Sequence, residues 1–284
     1  MKVLRIALPA LAVVVLGIGA AWLIVAHAKA GARNRTISPD FTITRPELES
    51  MVGSMPSDIS ERILATPDAF LALLAKLLDE PAGYFVLVDK THPIGESYVP
   101  PDLVRLTDYP LAVARNDLEL RKAIMPEVVA MSRAAKADGV TLLFSSTYRS
   151  YSYQTYVYDR EVRLYGKKVA DSESAVPGTS QHQLGTAVDF GSISDAFEKT
   201  AASRWLVANA WEYGFSLSYP QGYEHVTGYR YESWHYRYIT KAGAQMQRRY
   251  FDDIQAYLLL FLHDNWAALE ASRVPQAKLP APSR

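Results

Sequence analysis

The chain has 284 residues, enough for one ordinary domain with added elements once the first thirty or so are set aside. Thirty basic and thirty acidic side chains balance, so no net field gathers nucleic acid, which is not an expected partner. Cysteine is absent, which rules out disulfides and thiolate metal sites and leaves histidine and carboxylate as the metal-ligating side chains.

Lys2 and Arg5 precede an uncharged, mostly apolar run over residues 6–26, long enough to cross the roughly 30 Å hydrocarbon layer as a helix. It exceeds the usual apolar stretch of a cleaved signal segment, so an uncleaved anchor is expected, although Ala26-His27-Ala28 and Ala28-Lys29-Ala30 have the form of cleavage sites. Lys29, Arg33 and Arg35 follow the run, so basic residues flank it on both sides and do not set its orientation. Residues 1–35 are read as anchor or signal and tether, 36–83 as a helical extension, 84–250 as the catalytic unit, and 251–284 as a C-terminal helix and disordered tail.

The apolar stripe Phe70, Leu71, Leu73, Leu74, Leu77 and Leu78 predicts one or two helices over 45–78. Residues 84–88 read as a strand, and the four prolines of 91–110 favour an extended surface path. A helix is predicted over 118–137, with Pro126 in its first turn or at a kink and Gly139 as its stop. A buried strand over 140–144 delivers Tyr148 and Arg149. Ser150 or Ser152 then caps a helix that runs to Tyr165 and ends at Gly166, with Gln154 in its first turn. Residues 167–178 read as a polar loop, 186–190 as a strand carrying Asp189, and 194–213 as a helix burying Phe197, Trp205, Leu206 and Trp211. Leu217, Val226 and 231–239 are further strand candidates, and one helix is expected from Thr240 through Leu262 toward Ala271. The apolar run at 254–262 is too short, and interrupted by Gln255, to be a second span.

Ser180-Gln181-His182-Gln183-Leu184-Gly185-Thr186-Ala187-Val188-Asp189 is answered downstream by Glu232-Ser233-Trp234-His235. Together they offer two imidazoles, a ligating carboxylate and a spare glutamate. Three N/O ligands with a fourth position open suit a hydrolytic Zn²⁺, and a carboxylate outside the set can carry protons for the attacking water. His182 and Asp189 are seven apart, which requires one in a loop and the other on the next strand, with Gly185 permitting the turn. Glu232 and His235 pose a conflict, because residues i and i+3 face opposite sides of an ideal strand. The chain there must be bulged or not yet extended. His225 is the rival to His235; His27, His92 and His263 lack partners at ligand spacing.

This pattern, with Tyr148-Arg149-Ser150 upstream, resembles the zinc D-alanyl-D-alanine carboxypeptidases of the VanY type. The likeness runs from about Tyr84 to Tyr250 and includes Tyr98-Val99-Pro100-Pro101-Asp102-Leu103 and Tyr148-Arg149-Ser150-Tyr151-Ser152-Tyr153-Gln154. It implies an α+β fold with a mostly antiparallel central sheet and flanking helices. His182, Asp189 and His235 would hold Zn²⁺, Glu232 would be general base and acid, and Arg149 would hold the carbonyl oxygen as it turns anionic. Gln154 and Ser180 would serve the substrate carboxylate, with Tyr148 and Trp234 as further substrate contacts. The family usually has proline where Ser233 stands, and Ser-Gly where this chain has Ser146-Thr147.

The implied activity is removal of a C-terminal D-amino acid from a peptidoglycan stem peptide. An L,D-carboxypeptidase, a cross-link endopeptidase and a non-catalytic peptidoglycan-binding module with a structural metal are the alternatives. The open metal position and the spare Glu232 argue against the last. A single-pass membrane protein with its catalytic unit outside the cytoplasm, secreted if the N-terminal segment is cleaved, and acting as a monomer, is expected.

Overall fold

The structure is a computed structural model and describes residues 35–275. In chain order the helices are α1 (Arg45–Met51), α2 (Ser57–Ala65), α3 (Pro67–Leu78), α4 (Met125–Ala137), α5 (Tyr151–Tyr165), α6 (Lys167–Glu173), α7 (Ala201–Asn209), α8 (Glu224–Thr227), α9 (Thr240–Tyr250) and α10 (Gln255–Ser272). The strands are β1 (Leu103–Arg105), β2 (Ala112–Val113), β3 (Glu119–Arg121), β4 (Leu143–Ser146), β5 (Ala187–Phe190), β6 (Phe215–Leu217) and β7 (His235–Tyr238).

β1 and β3 form an antiparallel pair, and the other five strands a sheet in the order β2-β4-β5-β7-β6. β2 runs parallel to β4, and the remaining neighbours are antiparallel. The fold is therefore α+β, with a mixed sheet rather than a purely antiparallel one. β5 lies at the centre and all four of its residues are buried, as expected for a strand covered on both faces. Asp189 is the one charged residue in it.

Several sequence expectations meet a physical obstacle. Residues 84–88 form no strand, because the carbonyls of Tyr84 and Val86 accept from Nη2 of the buried Arg237 at 3.0 and 2.7 Å. Those are backbone groups that a ladder would otherwise need. The helix expected over 118–137 starts only at Met125, where Pro126 sits in the first turn and its missing N–H costs nothing; Glu119–Arg121 is strand instead. Residues 167–173 are helical rather than loop. The helix expected over 194–213 is divided at Thr200, whose Oγ accepts from Ser203 N at 3.1 Å and starts α7 afresh. Trp211 is only half-buried, and Val226 lies on α8 rather than a strand. The helix expected from Thr240 onward turns a corner, with Asp252 and Asp253 at φ 53° and 61° between α9 and α10.

Three helices, not one or two, fill residues 45–78, because Pro56 and Pro67 each open a new one. Their apolar sides join α9 and α10 in a core separate from the one around the sheet. Phe70 is its centre, packed edge-on to Tyr250 and Phe261 at 5.1 and 5.6 Å between ring centroids. Phe41 bridges to Arg273, so the two ends of the described chain meet. Leu258, Leu259, Phe261 and Leu262 are buried in this core. The apolar run at 6–26 and, after Pro275, the expected tail lie outside the described residues; among the described residues no helix is long and apolar enough to cross a membrane.

Phe70→Ala is expected to lower the unfolding free energy by about 3–5 kcal/mol, as large-to-small changes of buried aromatics do. Urea denaturation measures this, and a loss below about 1 kcal/mol would mean that the N-terminal helices do not share a core with α9 and α10.

Candidate metal centre

Asp189 and His235 are direct cross-strand partners in the β5–β7 register, and Ser146 of β4 lies opposite Asp189 on the other side. His182 comes from a 3₁₀ turn over Gln181–Leu184 that enters β5 through Gly185. Gly185 has φ +68°, and a Cβ there would meet Arg121, Leu103 and Pro100 atoms at 3.1 Å, so both conformation and space require glycine. The conflict between Glu232 and His235 is resolved by a turn. His235 N donates to Glu232 O at 3.2 Å, and β7 begins only at His235. The Glu232 carboxylate thus folds back to 3.6 Å from His235 Nδ1.

His182 Nε2 lies 3.2 Å from Asp189 Oδ2, and His235 Nδ1 lies 3.0 Å from Asp189 Oδ1. The proton positions follow from what stands behind each ring. His182 Nδ1 faces the carbonyl of Thr147 at 2.7 Å, and a carbonyl only accepts, so Nδ1 carries the proton. His235 Nε2 faces Gln181 Oε1 at 3.2 Å and donates to it. Burial, then the charge of Arg149, pulls the His182 pKa down to about 4, so its Nε2 is a bare lone pair. Burial opposes ionisation of Asp189, and in the metal-free site only positive charge or N–H groups of the adjoining imidazoles would hold its carboxyl below the usual range, a role that a cation would take over once both rings present lone pairs. Asp189 Oδ1 is buried without a hydrogen-bond donor. Electron pairs from three side chains therefore converge on one point within 4.8 Å of one another. A cation satisfies such a cluster, and two imidazoles with one carboxylate are a zinc donor set.

Glu232 lies beside this set. Burial, and next the charge of Asp189, push its carboxyl up to about 8. The charges of Arg230 and Arg149 act the other way, as a cation at the donor set would.

The other candidates divide. Arg149 directs Nη2 at Asp189 Oδ2 (3.4 Å) and is held by Ser146 Oγ at 3.2 Å and Gln154 Oε1 at 2.9 Å. Gln154 is buried away from the cleft lining, with its Nε2 donating to Ala175 O at 2.7 Å. Ser180 and Trp234 line the cleft; Tyr148 does not, and its N–H bonds Glu119 O at 3.0 Å. Thr147, where the family commonly has glycine, has no positive φ, and its Oγ accepts from Glu119 N at 3.0 Å. His225 is exposed on α8, outside the donor cluster. The cleft, about 460 Å³, also takes in Tyr219, Tyr229 and Arg230. Nothing in the sequence spacing distinguishes these three from packing residues. Gln181 sits inside the motif, yet it works from behind His235 rather than from the cleft.

The sequence model of the family described as VanY, D-alanyl-D-alanine carboxypeptidase, matches residues 117–241. A D-alanyl-D-alanine carboxypeptidase of Enterococcus faecalis (strain ATCC 700802 / V583) is 33% identical over 170 residues, 57% of this chain; the chain spans 60% of that relative's length. The solved LD-carboxypeptidase LdcB matches with TM-score 0.56 at 33% identity, over 61% of this chain and 84% of that one. A mutant of the vancomycin-resistance D,D-pentapeptidase VanY, in complex with Zn(II), matches with TM-score 0.53 at 31% identity, over 63% of this chain and 99% of that one.

His182→Ala, Asp189→Ala and His235→Ala are each expected to lose most bound zinc by elemental analysis, and His225→Ala to keep it. Full zinc in the His235→Ala protein would break the ligand set.

Proposed function

Because the chain belongs to the VanY-type D-alanyl-D-alanine carboxypeptidase family, we propose that it is a zinc metallopeptidase removing the C-terminal D-amino acid, D-alanine in the simplest case, from peptidoglycan stem peptides. One observation carries this reading. Three bare donor atoms converge beside a fourth side chain, the acidic Glu232, which stands outside the donor set.

His182, Asp189 and His235 would hold the ion, which when bound polarises a carbonyl and eases deprotonation of water. Glu232, ionised under the positive charge at the donor set, takes the proton of the attacking water. It then returns that proton to the departing amine. Arg149, fixed by Gln154 and Ser146, offers N–H groups to the carbonyl oxygen as it becomes anionic. Gln154 acts through Arg149, since its own amide N–H is engaged with Ala175. Ser180 donates to the terminal carboxylate of the peptide, and Trp234 walls the cleft. Tyr148 fixes the backbone leading to Arg149 through its N–H bond to Glu119 O.

A second reading is L,D-carboxypeptidase action on the tetrapeptide stem. It is favoured by the likeness to LdcB, which is similar in extent to the likeness to the D,D-pentapeptidase. Either substrate puts the catalytic unit outside the cytoplasmic membrane. Residues 6–26 would then serve as single-pass anchor, or as secretion signal if cleaved. A monomer suffices, because one chain supplies every residue invoked.

Mass spectrometry of a stem pentapeptide ending in D-Ala-D-Ala, incubated with the zinc-loaded protein, is expected to record loss of one alanine that a chelator blocks. Trimming of the tetrapeptide alone would select the L,D reading, and no cleavage of either would defeat the proposal. Glu232→Ala is expected to cut turnover about 10²–10⁴-fold, the usual share of a general base, with zinc content nearly unchanged.

A further inference from the structure

Behind the metal centre, a residue outside the family-matched segment reaches His235 through one intermediary. Gln255 is the first residue of α10 and is 1% exposed. Its Nε2 donates to the carbonyl of Ser216 at 3.3 Å, and its Oε1 accepts from Gln181 Nε2 at 3.3 Å. Gln181 presents its Oε1 to His235 Nε2, and that oxygen accepts a second bond from Ser218 Oγ at 2.7 Å.

The directions in this chain are not free. The Ser216 carbonyl only accepts, so Gln255 turns its nitrogen toward it and its oxygen toward Gln181. Gln181 must then turn its nitrogen to Gln255 and its oxygen to His235. That orientation requires the His235 proton on Nε2, which leaves Nδ1 bare toward Asp189. If Gln255 lost its oxygen, the Gln181 amide would have no partner fixing its sense. Its flipped form would present N–H to His235 and favour the tautomer protonated on Nδ1, which cannot ligate through that atom.

We propose that Gln255 is a positioning residue that sets the tautomer and ring orientation of His235 through Gln181, so that the C-terminal helix governs metal affinity. This rests on the reading that His182, Asp189 and His235 hold zinc.

Competition with a colorimetric chelator gives the zinc affinity of the full-length protein. Gln255→Leu is expected to weaken zinc about 10- to 100-fold, the range for lost partners of a ligating histidine. In the metal-free protein, long-range ¹H–¹⁵N spectra should show the His235 tautomer population shifted toward the Nδ1–H form in Gln255→Leu relative to the parent. Gln247→Leu removes another buried amide, which bonds the Asp253 carbonyl at 2.6 Å and does not reach the site. It should lower the melting temperature and leave zinc affinity within about two-fold, where a change of Gln255 in the machinery would not. Adding Gln255→Leu to Gln181→Leu should cause little further loss, since one acts through the other. If Gln255→Leu does not fold, Gln255→Glu keeps the length and the accepting oxygen and should hold zinc within a few-fold of the parent. Unchanged affinity and tautomer in folded Gln255→Leu, equal loss in Gln247→Leu, additive losses, or collapse of affinity in Gln255→Glu would each overturn the proposal. Absence of zinc binding by the parent would instead overturn the reading beneath it.

Discussion

A buried carboxylate that its neighbours only partly neutralise is the constraint around which this structure is arranged. Asp189 sits in the central strand, walled by two imidazoles whose protons point away from it and lacking a donor to Oδ1. Burying charge and lone pairs in this way is unfavourable unless a cation shares them. The neighbouring Arg149 supplies some compensation, at 3.4 Å from Oδ2. Every outward bond in the cluster serves to keep the lone pairs directed inward. Thr147 holds the proton of His182 on the far side, and Gln181 does the same for His235. The strain on Glu232, whose carboxyl is raised by burial and by Asp189, has the same origin.

The two cores of the molecule have different relations to this centre. The sheet core brings Asp189 and His235 into register and presents Ser146 beside them. The helical core lies mostly apart from the chemistry, yet its longest helix begins with a side chain that contacts Gln181. Residues 45–78 cover α9 and α10, and the corner at Asp252 is pinned by Arg62 at 2.6 Å. A segment outside the family-matched residues thus contacts the corner that leads into α10.

What could be read beforehand follows from how local each cause was. His182, Gly185 and Asp189 share one turn and one strand, so spacing and residue type sufficed. The position of Glu232 was legible as a geometric conflict, and the turn closed by His235 N is the form its resolution takes. The strand expected at 84–88 failed for a reason some 150 residues away, in the guanidinium of Arg237. The corner between α9 and α10 carries aspartates at positive φ where glycine is the usual signal, so nothing marked it. Gln154 and Gln255 are both amides whose contributions depend on which neighbour takes which end. Only the folded arrangement specifies that.

The most direct test of the account is anomalous diffraction at the zinc edge from crystals of the zinc-loaded protein. The account predicts one ion bonded at about 2.0–2.2 Å to His182 Nε2, an Asp189 oxygen and His235 Nδ1, with Glu232 outside the coordination shell. An ion ligated by Glu232, by His225, or by the opposite nitrogen of either ring would contradict it.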